Sequence, residues 1–391
     1  MSQPDHLLRR PIVIGWDIGG AHVKAALLHE GRVVEVVQWA CPLWQGVEHL
    51  DRVLQMALAR WPQELVEAEH AVTMTGEMTD LFEHREDGVR RIAGILTEVL
   101  APGRPAALHF FAGLDGTAPA SVPAESHPGV ARWCGAAEVG ARWQRIASAN
   151  WLATASHAAQ CVDEGVLIDI GSTTTDLIAF RAGRVLGCSS SDAERLASGE
   201  LVYQGVVRTP LCALGPRIAW RDAELNVMNE FFATTADVYR LTGELDPEND
   251  QHPSADNASK DAPATRRRLA RMIGLDARDA TPDDWLAFAH AWRNRQLDEL
   301  AGQLHRVVAL HGLSNAAIAV SAGCGDFLVD DVLARADLLA RAGAPKRSLR
   351  YGRDIARIAT DALPNEDGAA RWAQVCAPAV AVATLLDSGR R

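Results

Sequence analysis

Asp17, Gly19, Gly20 and Lys24 lie in IVIGWDIGGAHVKAALL (12–28), and Asp169, Gly171, Ser172, Thr173 and Thr174 lie in VLIDIGSTTTDLIAF (166–180). Each string is an apolar run ending in Asp-Ile-Gly, then a turn of small residues, then a second apolar run. Glycine lets backbone N–H groups approach an anion because no Cβ stands in the way. The Gly19-Gly20 turn therefore suits phosphate oxygens. In the second string Gly171 precedes four hydroxyls, Ser172 to Thr175, which add side-chain donors, and Asp176 caps or orients the turn. An aspartate just before such a turn repels phosphate unless a cation lies between them. Asp17 and Asp169 are accordingly assigned to a hydrated Mg²⁺. Lys24, on the returning strand, supplies compensating positive charge if the hairpin register turns it that way.

The first aspartates are 169 − 17 = 152 residues apart. One such hairpin reads equally well as an ordinary Asp-Gly turn. Two, each after a buried strand and at half-molecule spacing, suggest two related α/β lobes clasping a phosphorylated small molecule between them. A third element, AIAVSAGCGDFLV (317–329), places Ser321, Gly323 and Gly325 at the end of a strand leading into a helix, where a nucleotide base or ribose can rest. A close strand–helix turn explains the same glycines almost as well. Glu77 and Asp80, in TGEMTD (75–80), suit substrate contact or general-base work, or equally a helix cap with a first-turn acid. His157 reads as a packed histidine rather than a catalyst. The remaining histidines lack zinc-ligand spacing, and Ser172 lacks the GxSxG elbow of a hydrolase nucleophile.

The elements that must hold these residues alternate between strand and helix, which gives an α/β protein. GRVVEVVQWA (31–40), AVTMTGEMTDLF (71–82) and ALHFFAG (107–113) carry strands. Helical spacing runs from Leu50 to Trp61, from Val89 to Val99 and across 147–160. NEFFATTADVYRLTG (229–243) is expected to be a helix ended by Gly243, and DPENDQHPSADNASKDAP (246–263) a mobile surface loop. Thr281-Pro282-Asp283-Asp284 starts a helix that runs to about His311, a further helix is expected near 328–342, and a final one from about Asp367 to Leu386.

At 391 residues the chain suits two domains. A net charge of −11 argues against nucleic-acid binding. The local basic run Arg266-Arg267-Arg268 with Arg271 reads as a solvated helix face. Seven dispersed cysteines without metal spacing read as reduced thiols. Arg9 and Arg10 precede a first strand rather than a secretion signal, and the apolar stretch near 377–386 is too short for a bilayer, so no membrane partner and a cytoplasmic location are expected. Oligomeric state is not legible.

The two hairpins and the late glycine turn resemble the actin, sugar-kinase and Hsp70 ATPase superfamily. IGWDIGGAHVKAA, MTGEMTDLF, IDIGSTTTDLI, SGELVYQGVVRTPL (198–211) and NEFFATTADVYRLTG narrow the resemblance to its hydantoinase/oxoprolinase-related group. Within that group they match short members linked to tetrahydromethanopterin-dependent C1 transfer and similar to archaeal methanofuran-biosynthesis synthases. The resemblance implies a two-lobed actin-like ATPase fold, ribonuclease H-like in each lobe, with an interlobe cleft. It implies a first lobe over 1–162 with the helix of 365–391 packed back on it, and a second over 163–364. Asp17, Gly19, Gly20 and Lys24 would hold one end of the phosphates, Asp169 and Gly171 to Thr174 the other, and Gly323 and Gly325 an adenosine side. The implied activity is a Mg²⁺-dependent transferase that joins a furanmethanol diphosphate to a tyramine-type phenol with release of diphosphate. An ATP-dependent kinase or ATP-driven hydrolase is the alternative, with a nucleotide-gated interaction protein as a third reading.

Overall fold

The computed structural model describes residues 12–114, 131–187, 191–336, 348–359 and 366–389. Arg9, Arg10, Cys188 and the distal part of the helix expected near 328–342 lie outside them. The chain divides into two compact units, one of residues 1–165, 180–190 and 349–391, the other of 166–179 and 191–348.

In the first unit six strands form one sheet, β1 (Val13–Ile18), β2 (His22–His29), β3 (Arg32–Ala40), β4 (Glu69–Met74), β5 (Leu108–Leu114) and β6 (Ala131–Cys134), in the order β3-β2-β1-β4-β5-β6. β1, β2 and β3 are antiparallel neighbours, while β1–β4 and β4–β5 are parallel. This 3-2-1-4-5 arrangement is the ribonuclease H-like order of the actin-type ATPases. Strand alternation sends Ile14, Trp16 and Ile18 into a core with Leu50, Val53 and Leu54 of helix Glu48–Arg60 and with Val89, Ile92 and Leu96 of helix Arg85–Leu100. The other face presents Gly15, where any Cβ would strike the Ala379 carbonyl and lie 2.8 Å from the Ala383 Cβ. Helix Ala377–Ser388 therefore seats directly on β1.

In the second unit β7 (Glu164–Ile170), β8 (Thr175–Arg181), β9 (Leu201–Val202) and β10 (Ile318–Ala322) take the order β9-β8-β7-β10. That is the 3-2-1-4 order of the first unit, repeated. The 29-residue helix Pro282–Leu310 starts at a Thr281–Asp284 capping box and buries Trp285, Phe288 and Trp292.

Four details depart from the sequence reading. The helix expected over 229–243 begins only at Thr235, because Thr234 and Asp237 form a capping box and Thr234 is extended. The 246–263 segment is a built loop: Arg240 and Lys260 grip Asp250, Arg268 grips Asp256, and Asn249 and Ser254 are buried. Arg268 itself is fully buried against Asp237, not on a solvated face. The final helix is two, Glu366–Val375 and Ala377–Ser388, bent by 95° where Pro378 enters the second. Among the described residues no single helix is long and apolar enough to cross a membrane.

Candidate phosphate-binding hairpins

The β1–β2 turn closes when the Gly19 N–H donates to the His22 carbonyl at 2.9 Å. Its own carbonyls are tied back: Ile18 O accepts from Thr75 N at 2.9 Å, Gly20 O from Leu43 N at 3.0 Å and Ala21 O from Cys41 N at 2.8 Å. A Cβ on Gly19 would lie 2.7 Å from the His22 backbone carbonyl, so that position needs glycine, whereas one on Gly20 would meet only the Thr79 Cγ2 methyl, at 2.8 Å. Asp17 is 3% exposed. The ladder sets Lys24 opposite it on β2 and Thr73 on β4, and Lys24 Nζ stands 3.7 Å from Asp17 Oδ2. Register thus answers the open question about Lys24: it shares the face of Asp17.

The β7–β8 turn repeats this wiring 152 residues on. Gly171 N–H donates to Thr174 O at 2.8 Å, and Gly325 N donates to Ile170 O at 2.8 Å. Val206 N bonds Gly171 O, while Val207 N and Arg208 N both bond Ser172 O. With carbonyls consumed behind each turn, the opposite amides are presented: among the described residues, the N–H groups of Gly20 and Ser172 donate to no backbone carbonyl. Of the four hydroxyls, Thr175 turns inward to the Gln204 carbonyl at 2.7 Å, and Ser172, Thr173 and Thr174 stay half-exposed. Ser172 and Thr173 oxygens are 3.3 Å apart, and Arg208 donates to Thr173 Oγ1 at 3.4 Å.

Ser321 is buried as the penultimate residue of β10. Gly323, at φ 86°, and Gly325 follow that strand, and their missing side chains are accounted for locally. A Cβ on Gly323 would strike the Ile170 carbonyl and lie 2.6 Å from Asp169 Oδ1, and one on Gly325 would lie 2.5 Å from Ile170 Cγ2. Both glycines therefore seat β10 against the second hairpin.

Glu77 sits in the turn after β4, 1% exposed. Ser148 Oγ donates to its Oε1 at 2.9 Å, and Arg85 bridges the pair, 2.7 Å from Ser148 Oγ and 3.4 Å from Glu77 Oε1. Ser148 holds this place at a left-handed φ of 51°, an uncommon cost for a non-glycine residue. Burial raises the Glu77 carboxyl above its usual range, opposed by the Ser148 bond and Arg85. Its Oε2 accepts no hydrogen bond among the described residues. Asp80, three residues on, is exposed. His157 is buried 2.7 Å from the Tyr351 hydroxyl and lowered to about 4 by desolvation, a packed histidine. Sequence reading passed over Arg85, Ser148 and Arg208. The signal for Arg208 was present in GVVRTP, a lone cation three residues after a glycine.

Magnesium held through phosphates needs only one or two protein carboxylates and otherwise keeps its waters. Asp169, half-exposed at the foot of the Ser-Thr turn, fits that demand. Asp17 fits it less freely, since Lys24 already offsets its charge. Among the described residues no group of three or more His, Cys, Asp or Glu side chains forms a metal cage.

The hydantoinase/oxoprolinase family model matches residues 132–345, more than half of the chain. The (4-{4-[2-(gamma-L-glutamylamino)ethyl]phenoxymethyl}furan-2-yl)methanamine synthase of Methanocaldococcus jannaschii is 25% identical over 323 residues, covering 82% of this chain and 88% of its own. The synthase of the same name from Methanococcus vannielii is 27% identical over 202 residues, covering 51% and 89%. Among solved structures, a ROK family glucokinase from Streptomyces griseus, in complex with glucose and AMPPNP, is similar over 95% of this chain and 98% of its own, at 15% identity and a TM-score of 0.42.

Proposed function

The chain belongs to the hydantoinase/oxoprolinase family, and from that premise we propose that it is a transferase joining a furanmethanol diphosphate to a tyramine-type phenol, with release of diphosphate. The product class is a methanofuran-like carrier for tetrahydromethanopterin-linked C1 transfer. The carrying observation is the duplicated hairpin, in which the Ile18, Gly20 and Ala21 carbonyls of one copy and the Ile170, Gly171 and Ser172 carbonyls of the other are bonded to neighbouring amides, while the Gly20 and Ser172 amides donate to no backbone carbonyl among the described residues. Such a donor set answers the charge of a phosphorylated substrate. The relatives' names add a phenoxymethyl link to a furan, the ether that such a displacement makes.

In this reading the phenol oxygen attacks the furanylic CH₂. The carbon–oxygen bond to diphosphate breaks, its electron pair leaves on diphosphate, and the phenol proton passes to Glu77. Each hairpin, taken by itself, offers donors for negative charge on a phosphate group: Gly19, Gly20 and Lys24 in the first unit, and Gly171, Ser172, Thr173 and Thr174 in the second. Removing one pre-organised donor of this kind costs roughly 10²–10³ in rate. Asp17 and Asp169 would hold hydrated Mg²⁺, which neutralises charge on diphosphate.

The test is incubation of the purified protein with the diphosphate ester and the phenol, read by ³¹P NMR and by mass of the ether. Diphosphate and ether should appear together. Formation of ADP from added ATP, with no diphosphate from the ester, would move the assignment to an ATP-dependent kinase or hydrolase. Ser321, Gly323 and Gly325 would then be tested as the nucleotide side.

A further inference from the structure

One equivalent position carries opposite charges in the two hairpins. Lys24 sits across the ladder from Asp17, whereas its counterpart in the second copy is Asp176 (24 + 152 = 176). Asp176 is bonded to Arg195, which is only 2% exposed, so this acid is answered by a buried partner. The returning strand of the second hairpin therefore brings no cation to its turn.

A cation reaches that turn by another route. The strap Gly205–Thr209 lies against the hairpin, fixed by Val206, Val207 and Arg208 amides on Gly171 and Ser172 carbonyls, and by Gly205 N–H on Thr209 Oγ1 at 2.8 Å. Gln296 and Thr235 hold the Gly205 carbonyl from behind at 3.1 and 2.9 Å. The strap delivers the Arg208 guanidinium to Thr173 Oγ1. In the first unit the matching bond, to Gly20 O, comes from Leu43, a fully buried apolar residue. The copies thus place their cations differently: on the returning strand in one, on the strap in the other.

We propose that Arg208 is the anion-binding residue of the second hairpin, gripping a phosphate group presented to Ser172, Thr173 and Thr174. This rests on the phosphate reading of the hairpins given above. A guanidinium suits the task because its planar fork bonds two phosphate oxygens at once, which an ammonium does not. Burial lowers its affinity for its proton, so an incoming anion meets a partly dehydrated cation.

Calorimetric titration of the full chain with inorganic diphosphate and Mg²⁺, and separately with ATP and Mg²⁺, tests it in wild type, Arg208→Gln and Arg208→Lys. A lost charge-assisted hydrogen bond is worth about 1.5–3 kcal/mol, or roughly 10–100-fold in affinity. Arg208→Gln should weaken the phosphate ligand that wild type binds by that factor, with Arg208→Lys intermediate and ligand-free melting unchanged. Should Arg208→Gln fail to fold, Arg208→Lys carries the test, since it keeps the charge and loses the fork. Wild-type affinity in the folded variants overturns the role of Arg208 and leaves the hairpin reading standing. A wild-type protein that binds neither ligand overturns both.

Discussion

Glu77 is a carboxyl group kept from water by its own turn and pressed by helix Arg85–Leu100, where a Cβ on Gly88 would lie 2.8 Å from the Glu77 Cα. A base with a raised proton affinity works when deprotonated, so the rate of diphosphate release should climb with pH along a limb above the ordinary carboxylate range. Glu77→Gln should cut that rate by roughly 10²–10⁴. Because the fold disfavours ionised Glu77, its contribution to stability is complete below the ordinary carboxylate value and lost as pH rises through the raised one. The variant should therefore melt increasingly above wild type as pH rises. Ser148→Ala removes a bond that lowers the Glu77 value and should move the limb to higher pH; an unmoved limb assigns the base elsewhere. His70 gives a cleaner check on the core. Its Nδ1 accepts from Trp16 Nε1 at 3.2 Å, so its Nε2 carries the proton and donates to the Leu65 carbonyl at 3.1 Å. Both nitrogens are satisfied only in the neutral ring, and burial lowers the value to about 4. The stability this confers is full above the ordinary histidine value of 6.5 and is lost as pH falls through about 4. In ¹H–¹⁵N spectra the His70 ring should not titrate around 6.5.

At the scale of elements, the hairpins stand because their neighbours leave room for them. Gly205 is one such case: a side chain there would strike the Ser172 and Thr173 backbone. Gly205→Ala should abolish diphosphate binding while helix content by circular dichroism is retained; unchanged binding would mean that the strap does not shape the turn. The buried Arg268 joins helix Ala262–Arg271 to Asp237 and Asp256. Arg268→Ala strands buried charge and should cost about 3–5 kcal/mol in urea unfolding, with earlier proteolysis within 246–263. These elements also mark how far the sequence could be read. Strand–turn–strand periodicity exposed both hairpins, and the Thr281 cap exposed the longest helix. The segment 246–263 looked mobile because it is polar, and its order comes from Arg240, Lys260 and Arg268, whose partners are set by tertiary contacts. The GVVRTP signal for Arg208 could not be placed for the same reason, since its position depends on a strap folded against a turn 36 residues earlier (208 − 172 = 36). The start at Thr235 and the break at Pro378 were legible in their cap and proline, but apolar spacing on either side outweighed them.

At the scale of the whole chain, one pattern appears twice with one offset: Ile18 and Ile170, Gly19 and Gly171, Gly20 and Ser172, His22 and Thr174 play matching hydrogen-bonding parts. The copies differ where charge is concerned, and they sit in a chain of net charge −11. On the proposed reading a phosphorylated ligand would be repelled at long range by the net charge and attracted at short range by Lys24 and Arg208. The two fields respond differently to salt. The Debye length shrinks from about 30 Å at 0.01 M to about 8 Å at 0.15 M, which removes distant repulsion before it weakens contacts of a few ångströms. Association of diphosphate should consequently speed up over that range in stopped-flow mixing, the reverse of a ligand steered in by an opposite charge. Dissociation should change less, because Arg208 is partly shielded from the ions. An association rate that falls with salt would mean that the cations dominate the approach as well as the grip, and that the acidic surface faces away from the ligand's path.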